Sequence, residues 1–472
     1  MRVVITPKTQ PGKTGDNPSI TLAVTGDGSA GIPCITSWSL RPSEISREWN
    51  VPSYPRLTIT CMDWCSGGCT FWSSIFDKYE FLNGSIVMFY SNDGAVYKLA
   101  IEDWRRDIGQ STTITASSIG KWDKDDQFPP KRHLRVAFDA KKEDTTILLL
   151  GDLRKGYYRK RQDDKKSLAG EILCYNKELI RVKAVKAFTR GATELDVQRG
   201  YKGTEATGLV QGKSIEVAIE YQNKNVVDIV SEVLAESGFG TDSSFAAEKT
   251  GVLSSYNMTG ILYKPDKAAK VLQELCRTCQ FNIILNNDGT CGIRHITNLL
   301  QLTVKKYNDS NIIKESLAWQ SRLLKSLPGV VVHYDLEKAT DYSTNEDKFK
   351  KNVTIIDSKL SIGLDDYDGR REIHSRWYGV SLANLVANRM IAIERQGGIG
   401  IKFETLEPPI VGDNIEVSSA LMPDTHEYQV WRIERKSNGI SEVQAMRTAF
   451  KATSAGRIRI GISTIGGSDR FV

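Results

Sequence analysis

The chain has 472 residues, which at about 100–200 residues per domain is enough for three or four domains. Its hydrophobic fraction of 40% and charged fraction of 25% are ordinary for a globular protein with a buried core. The net charge of +6, from 63 basic and 57 acidic residues, is too small to indicate a dedicated nucleic-acid binder. The sequence has neither a run of roughly 20 apolar residues nor the apolar segment of a secretion signal. We therefore expect no membrane span, and assembly in a cytosol.

Residues 1–150 predict a β-rich N-terminal domain. Short apolar or alternating runs occupy residues 19–24, 56–60, 84–90 and 95–101. The last two runs flank a corner that contains Asp93-Gly94, an arrangement typical of a β-hairpin. Long helical patterns do not occur in this part of the sequence.

Residues 151–222 predict a small β-barrel or meander domain. The polar, basic stretch 151–168 comes first, and we interpret it as a loop or a domain boundary. Short strands follow over residues 170–220, separated by a turn at Asn176-Lys177 and by later glycines. The alternation of apolar and polar side chains suits a sheet with one face in water.

Residues 223–335 predict an α+β domain. Apolar side chains in 225–237 recur at helical spacing, and Gly238 stands where a glycine commonly ends a helix. A second helix is predicted over residues 265–279, with a proline in its first turn, where proline is tolerated. It leads into two short strands that flank an Asn-Asp-Gly turn at 287–289.

Residues 336–452 predict a C-terminal α+β domain, and residues 453–472 form a tail rich in Gly, Ser and Ile. The charged segment 338–352 lacks an apolar period and predicts a long exposed loop. A helix is predicted at 381–396, and four short strands follow it. The expected fold class is therefore α+β and β-rich, with small β-barrel domains and α+β domains.

Motifs of catalytic chemistry are absent from the sequence. It contains no G-x-S-x-G nucleophile elbow, and the glycines around residue 200 lack the spacing of a phosphate-binding loop. The histidines are scattered, and we interpret them as packing or surface residues: His133, His295, His333, His374 and His426. A glycosidase needs two carboxylates about 5–10 Å apart in a cleft, which acidic pairs in a sequence do not reveal. We expect no enzyme activity and predict no catalytic residue.

A cluster of cysteines is the one metal-binding signal in the sequence. Cys61, Cys65 and Cys69 lie within nine residues, with Cys34 upstream and two glycines inside the cluster. Four thiolates suit an iron–sulfur cluster or tetrahedral zinc, although the spacing matches no common zinc finger. The alternative is that these are small buried hydrophobic residues in strands.

Two further groups of residues have both a binding and a structural interpretation. Cys276 and Cys279 have the spacing of a metal pair, with Cys291 nearby, but they fall within a predicted helix, which favours core packing. The segment 154–166 combines seven basic residues with two tyrosines. Such a loop can hold single-stranded nucleic acid or phosphates, but a solvated linker is the preferred interpretation.

The order of these elements resembles that of the central tail-hub proteins of long-tailed bacteriophages. The segment 195–206 resembles a stretch in which a strand ends in V-x-R-G and a G-T follows. The helix at 226–234, the helix–strand–turn–strand unit at 265–296 and the C-terminal helix with its strands are similar to elements that follow it there. The resemblance covers most of the chain and is best between residues 150 and 450.

The resemblance implies a structural virion protein rather than an enzyme. It implies a homotrimer around the tail axis at the tail tip, and small barrel domains that match the hexameric tail tube. The expected neighbours are the distal tail protein, the tape-measure protein and fibre or spike proteins, with transient passage of phage DNA through the ring. Some tail-tip proteins bind iron–sulfur clusters, whereas the hub pattern itself contains no such cysteines. The alternative function is a tail-associated enzyme that degrades polysaccharide or cell wall.

Overall fold

The computed structural model describes twenty segments of the chain. These are residues 1–7, 19–24, 31–45, 54–63, 65–66, 69–70, 72, 83–91, 95–118, 127–130, 134–154, 157–159, 162–295, 305–320, 327–357, 369–377, 379–395, 400–420, 422 and 426–447. Within them the fold is β-rich with four α-helices, which confirms the predicted fold class. None of the helices described is long and apolar enough to cross a membrane.

The N-terminal part of the chain is built from strands, as predicted. In chain order they are β1 (Arg2–Thr6), β2 (Ile20–Val24), β3 (Ile32–Arg41), β4 (Arg56–Met62), β5 (Cys65–Ser66), β6 (Cys69–Thr70), β7 (Ile86–Tyr90), β8 (Val96–Asp107) and β9 (Ser111–Ser118). Strands β7 and β8 pair antiparallel, which confirms the hairpin predicted from the Asp-Gly corner. Their alternating buried side chains join one apolar core with those of β1, β3 and β4.

The next strands form a barrel. They are β10 (Gln127–Phe128), β11 (Leu134–Arg135), β12 (Thr146–Leu150), β13 (Tyr157–Arg159), β14 (Gln162–Lys166), β15 (Ile172–Tyr175), β16 (Glu178–Thr189), β17 (Ala192–Gln198), β18 (Ser214–Asn225) and β19 (Asn257–Leu262). Six of them pair in the order β11-β18-β15-β16-β17-β12, and β19 adds to β18. A bridge between Val136 and Leu149 brings the two ends together, so this sheet closes around its own apolar core. Closure removes exposed strand edges.

The barrel spans two of the domain boundaries predicted at 150, 222 and 335. Strand β12 precedes the first of these boundaries and β19 follows the second, yet both pair within the barrel sheet. The division into domains 1–150, 151–222, 223–335 and 336–452 with a tail at 453–472 stays a prediction, and the tail lies outside the described residues. The basic stretch interpreted as a loop contains the short antiparallel pair β13–β14 instead.

Three helices follow or interrupt the last barrel strands, and a short hairpin closes this unit. The elements are α1 (Val226–Glu236), α2 (Ser243–Thr250), β20 (Asp266–Lys267), α3 (Ala268–Cys279), β21 (Phe281–Leu285) and β22 (Cys291–His295). Helix α1 begins where the side chain of Asn225 accepts a hydrogen bond from the Val227 amide at 3.0 Å. It ends before Gly238, whose positive φ of 83° confirms the predicted helix end.

The start of α3 differs from the prediction, and α2 was not predicted. Residues 266–267 pair with β10 as strand β20, so α3 begins at Ala268 rather than in the turn after Pro265. Helix α2 buries only Phe245 and Glu248, which is too narrow an apolar stripe to show in the sequence pattern. Its first turn is capped by Asp242, which accepts from the Ser244 amide at 2.8 Å.

The remaining elements are β23 (Lys305–Tyr307), β24 (Ala318–Gln320), β25 (Gly329–Leu336), β26 (Phe349–Ile356), β27 (Arg370–His374), α4 (Val380–Arg395), β28 (Gly400–Thr405), β29 (Asn414–Val417), β30 (His426–Lys436) and β31 (Ser441–Arg447). Strand β25 lies between β26 and β27 in a three-stranded sheet that packs on α4. The prediction of a long exposed loop at 338–352 is therefore wrong at its C-terminal end, because β26 already begins at Phe349.

The two ends of the chain share one thirteen-stranded sheet. Its central order is β2-β1-β7-β8-β9-β4-β3-β30-β31-β28-β24, with β29 and β23 attached beside β30. The junction is the pairing of β3 with β30, where Leu40 lies opposite Arg435. An ion pair of 3.1 Å between Arg41 and Glu434 supports the same junction. The barrel and the α+β unit are thus inserted between two halves of a sheet.

Candidate functional site

Two of the four predicted metal-binding cysteines lie side by side. Cys34 on β3 and Cys61 on β4 are buried in neighbouring strands of the N-terminal core. Their thiols share a hydrogen bond, which lowers the pKa of Cys34 and, together with burial, raises the pKa of Cys61 far above its usual range. The pair offers two adjacent sulfur ligands, which fits half of a four-cysteine site. Its surroundings are apolar, which fits the alternative of small core residues equally well.

The other two predicted ligands, Cys65 and Cys69, lie on a separate short hairpin. Strands β5 and β6 pair antiparallel, with Cys65 opposite Thr70 and Cys69 opposite Ser66. Their side chains lie outside what the structure describes. The iron–sulfur or zinc site at Cys34, Cys61, Cys65 and Cys69 therefore stays a prediction.

Cys276, Cys279 and Cys291 lie together in the core of the α+β unit. All three are buried and free of disulfides. Burial raises the pKa of each thiol, to about 12 for Cys291 and well above the usual range for Cys276 and Cys279. A protonated, buried thiol packs as a small apolar group, which is the role that the sequence favoured.

The V-x-R-G motif at Val197–Gly200 has a defined structural role in the barrel. The Arg199 guanidinium donates from Nε and Nη2 to the two carboxylate oxygens of Glu178, at 2.7 and 2.8 Å. Glu178 is fully buried and the Arg199 side chain is only 6% exposed. A bidentate, buried pair of this kind fixes geometry as well as charge.

The residues after Arg199 complete the environment of the buried carboxylate. The amides of Gly200 and Thr207 donate to Glu178 at 3.1 and 2.9 Å. Thr204 binds back to the barrel, since its hydroxyl accepts from the Leu179 amide at 2.9 Å. The motif that carried the family resemblance is thus a polar lock that joins the β17 end to the start of β16.

A second buried network joins the α+β unit to the C-terminal sheet, and it was not predicted from the sequence. Arg389 on α4 donates to His295 Nδ1 at 2.6 Å, and His295 Nε2 contacts Glu248 at 2.8 Å. A guanidinium can only donate, so Nδ1 of His295 accepts the hydrogen bond from Arg389. The ring proton is therefore on Nε2, which donates a hydrogen bond to Glu248. Burial, and then the charge of Arg389, lower the pKa of His295. Gln429 on β30 donates to the His295 carbonyl at 2.9 Å.

Two histidines that are distant in sequence meet in the three-stranded sheet. His333 on β25 and His374 on β27 occupy paired positions of parallel strands, and their rings stack with centroids 4.6 Å apart. Burial, and then the neighbouring His333, lower the pKa of His374. The prediction that the histidines are separate packing or surface residues is therefore incomplete for His333 and His374. His133 lies outside the described residues.

Four glutamates line one of the pockets in the described part of the chain: Glu171, Glu220, Glu232 and Glu236. This cavity of about 200 Å³ lies between the barrel and α1. Burial raises the pKa of Glu220, but hydrogen bonds from Lys202, Gln222 and Tyr201 outweigh it and leave the pKa below its usual value. Glu232 is paired with Lys224 at 2.7 Å. A general acid needs a raised pKa, which this lining does not supply at Glu220.

The solved structures to which the chain is similar are phage tail proteins and virion or baseplate assemblies. The tail protein from Neisseria meningitidis is 6% identical, with 94% of this chain and 95% of that chain covered and a TM-score of 0.48. A tail protein of prophage MuSo2 from Shewanella oneidensis is 10% identical, with coverages of 95% and 98% and a TM-score of 0.45. A prophage tail protein from Listeria monocytogenes is 8% identical, with 94% of each chain covered and a TM-score of 0.40.

These likenesses concern the arrangement of the chain and not its binding partners. No protein-family model matches the sequence, and no curated protein matches it either.

Proposed function

We propose that this chain is a structural, non-enzymatic protein of a phage tail, and that it forms the central hub at the distal tip. The observation that carries the proposal is the order of elements that the structure realises. A barrel locked by the V-x-R-G motif is followed by helix α1, by the unit α3–β21–β22, and by α4 with its strands. This is the order in which the sequence resembles tail hubs.

The closed barrel and the sheet shared by both chain ends support a role as a ring component. Closure pairs the two end strands of the barrel with each other, which favours association of copies through defined surfaces over open-ended strand pairing. The turn at Arg190-Gly191, between β16 and β17, and the loop between β28 and β29 both reach solvent. The loop presents Leu406 and Ile410 at 67% and 66% exposure. In the proposal this loop is buried when three copies assemble around the tail axis.

The proposed partners follow from the position at the tail tip. The distal tail protein meets the tube side of the ring, the tape-measure protein ends inside it, and fibre or spike proteins bind outside. The ring forms or closes the channel through which the DNA leaves. The protein acts in the virion after assembly in the host cytoplasm.

Light scattering of the purified protein, with electron microscopy of any oligomer, tests the trimer. The proposal predicts a mass of three times 52.6 kDa and a threefold ring with a central opening. The variant Leu406→Asp with Ile410→Asp should shift the mass toward the monomer. The matched control is Leu150→Asp at the exposed end of β12, which should leave the oligomer intact. A stable monomer that releases reducing ends from host envelope would contradict the proposal and favour the enzyme alternative.

A further inference from the structure

A cluster of three potential metal ligands lies on one face of the sheet formed by β25 and β27. His333 and His374 are directly paired across the two parallel strands, and Glu372 precedes His374 by two residues and so shares its face. One ligand atom from each residue lies within 4.8 Å of the others, and Glu372 Oε2 is 3.8 Å from His374 Nε2. This is the one such group among the residues that the structure describes.

Each of the two imidazoles has a buried nitrogen atom without a hydrogen bond. Nε2 of His333 and Nε2 of His374 are both buried and have no hydrogen-bond partner. His333 is only 4% exposed, so water does not replace the missing partner freely. A buried polar atom left without a hydrogen bond is energetically unfavourable, and most buried polar atoms of native proteins have a partner.

The surroundings close the cluster on one side and leave it open on the other. The ring of Phe349 lies 6.1 Å from His333 and 5.6 Å from His374, and Tyr342 donates from its hydroxyl to the His374 carbonyl. The aromatic side chains shield the two imidazoles from solvent. Glu372 is about half exposed, so an ion can enter from the carboxylate side.

We propose that His333, His374 and Glu372 bind a divalent zinc ion that joins β25 to β27. Two imidazole nitrogens and one carboxylate oxygen are an established zinc ligand set, with the fourth position left to water or to a partner. Imidazole ligands favour zinc over magnesium or calcium, which prefer oxygen donors. The proposal does not depend on the hub function, because it concerns residues of a single chain.

Zinc binding requires a small, measurable rearrangement of the pair. Zinc–nitrogen bonds of about 2.0–2.1 Å in a tetrahedral site place the donor atoms about 3.3 Å apart. The donors now lie within 4.8 Å and the ring planes are inclined by only 3°. The imidazoles therefore tilt out of the stack so that both lone pairs point at the ion.

Metal titration of the full chain after chelator treatment tests the site. The wild-type protein should bind about one zinc ion at this cluster, and Glu372→Gln and His374→Gln should each weaken binding at least about tenfold. Glu372 is about half exposed, so its variant should keep the fold even if the His374 variant does not. The matched control His426→Gln, outside the cluster, should bind zinc as the wild type does.

A second set of variants separates this site from the predicted cysteine site. Cobalt bound at the histidine cluster should lack the charge-transfer absorption of thiolate ligands, and Cys34→Ser with Cys61→Ser should leave this binding unchanged. The proposal is overturned if the wild type binds no more zinc than Glu372→Gln. It is also overturned if the serine variants abolish all zinc binding, since the metal would then belong to the cysteines.

Discussion

The barrel and the three-stranded sheet differ in whether their buried polar groups have hydrogen-bond partners. In the barrel, both oxygens of Glu178 are satisfied by Arg199 and by the amides of Gly200 and Thr207. In the three-stranded sheet, the Nε2 atoms of His333 and His374 have no hydrogen-bond partner. A fully satisfied buried network stabilises one structure, whereas buried nitrogens without hydrogen bonds leave positions at which a ligand can bind. The first arrangement fits a structural role, and the second fits the zinc site that we propose.

The largest expected effect comes from breaking the barrel lock. Arg199→Met leaves the Glu178 carboxylate buried without its cation, so the free energy of unfolding should fall by about 3–5 kcal/mol. Urea unfolding followed by circular dichroism measures this loss. Lys183→Met, at an exposed position on neighbouring β16, is the matched control and should change little.

The double variant Glu178→Leu with Arg199→Met tests the cause. Removing both charges removes the unpaired carboxylate, so this variant should recover much of the lost stability. If Arg199→Met unfolds within about 1 kcal/mol of the Lys183 control, the lock is not a structural centre.

A smaller effect is expected from the turn that completes the lock. Gly200 has a φ of 59°, and a Cβ atom there would lie 2.8 Å from the Thr204 carbonyl oxygen. Gly200→Ala should therefore cost more than the roughly 1–2 kcal/mol of a left-handed alanine. Gly191→Ala is the matched control, because its φ is 79° and no atom lies within 4 Å of the added Cβ. Equal unfolding midpoints for the two variants would contradict the close approach at Gly200.

The smallest effect is a pH dependence from the network at His295. Burial and Arg389 lower its folded pKa, so the unfolded chain binds the proton more readily. Its contribution to stability is complete above the unfolded pKa of about 6.5 and is lost as the pH falls below it. The slope from this residue is at most about 1.4 kcal/mol per pH unit. Unfolding measured between neutral and mildly acidic pH should show a shallower slope for His295→Gln, and an unchanged slope would refute this assignment.

Local pattern was enough to predict the elements that pair with neighbours in sequence. The hairpin β7–β8, helix α1 with Gly238 and the hairpin β21–β22 all follow from apolar period and turn residues. The Arg199 motif was visible too, but its partner Glu178 was not, since pairing across strands depends on register. Helix α2 left too weak a pattern to detect.

Long-range pairing was not accessible from the sequence. Nothing local in β3 or β30 shows that the two strands meet, yet their pairing unites the ends of the chain. Residues 266–267 lie within a predicted helix, but they form strand β20 because they pair with the distant β10. The His333–His374 stack arises in the same way, because strand order, and not spacing, brings the rings together.

The most direct test of the hub proposal is to locate the chain in intact tails. Antibody fragments against the exposed turn at Arg190-Gly191, between β16 and β17, would be bound to virions carrying this chain and imaged by electron microscopy. The account predicts label at the distal tip only, with three copies around the tail axis. Label along the tube, at the neck or on the head would contradict it.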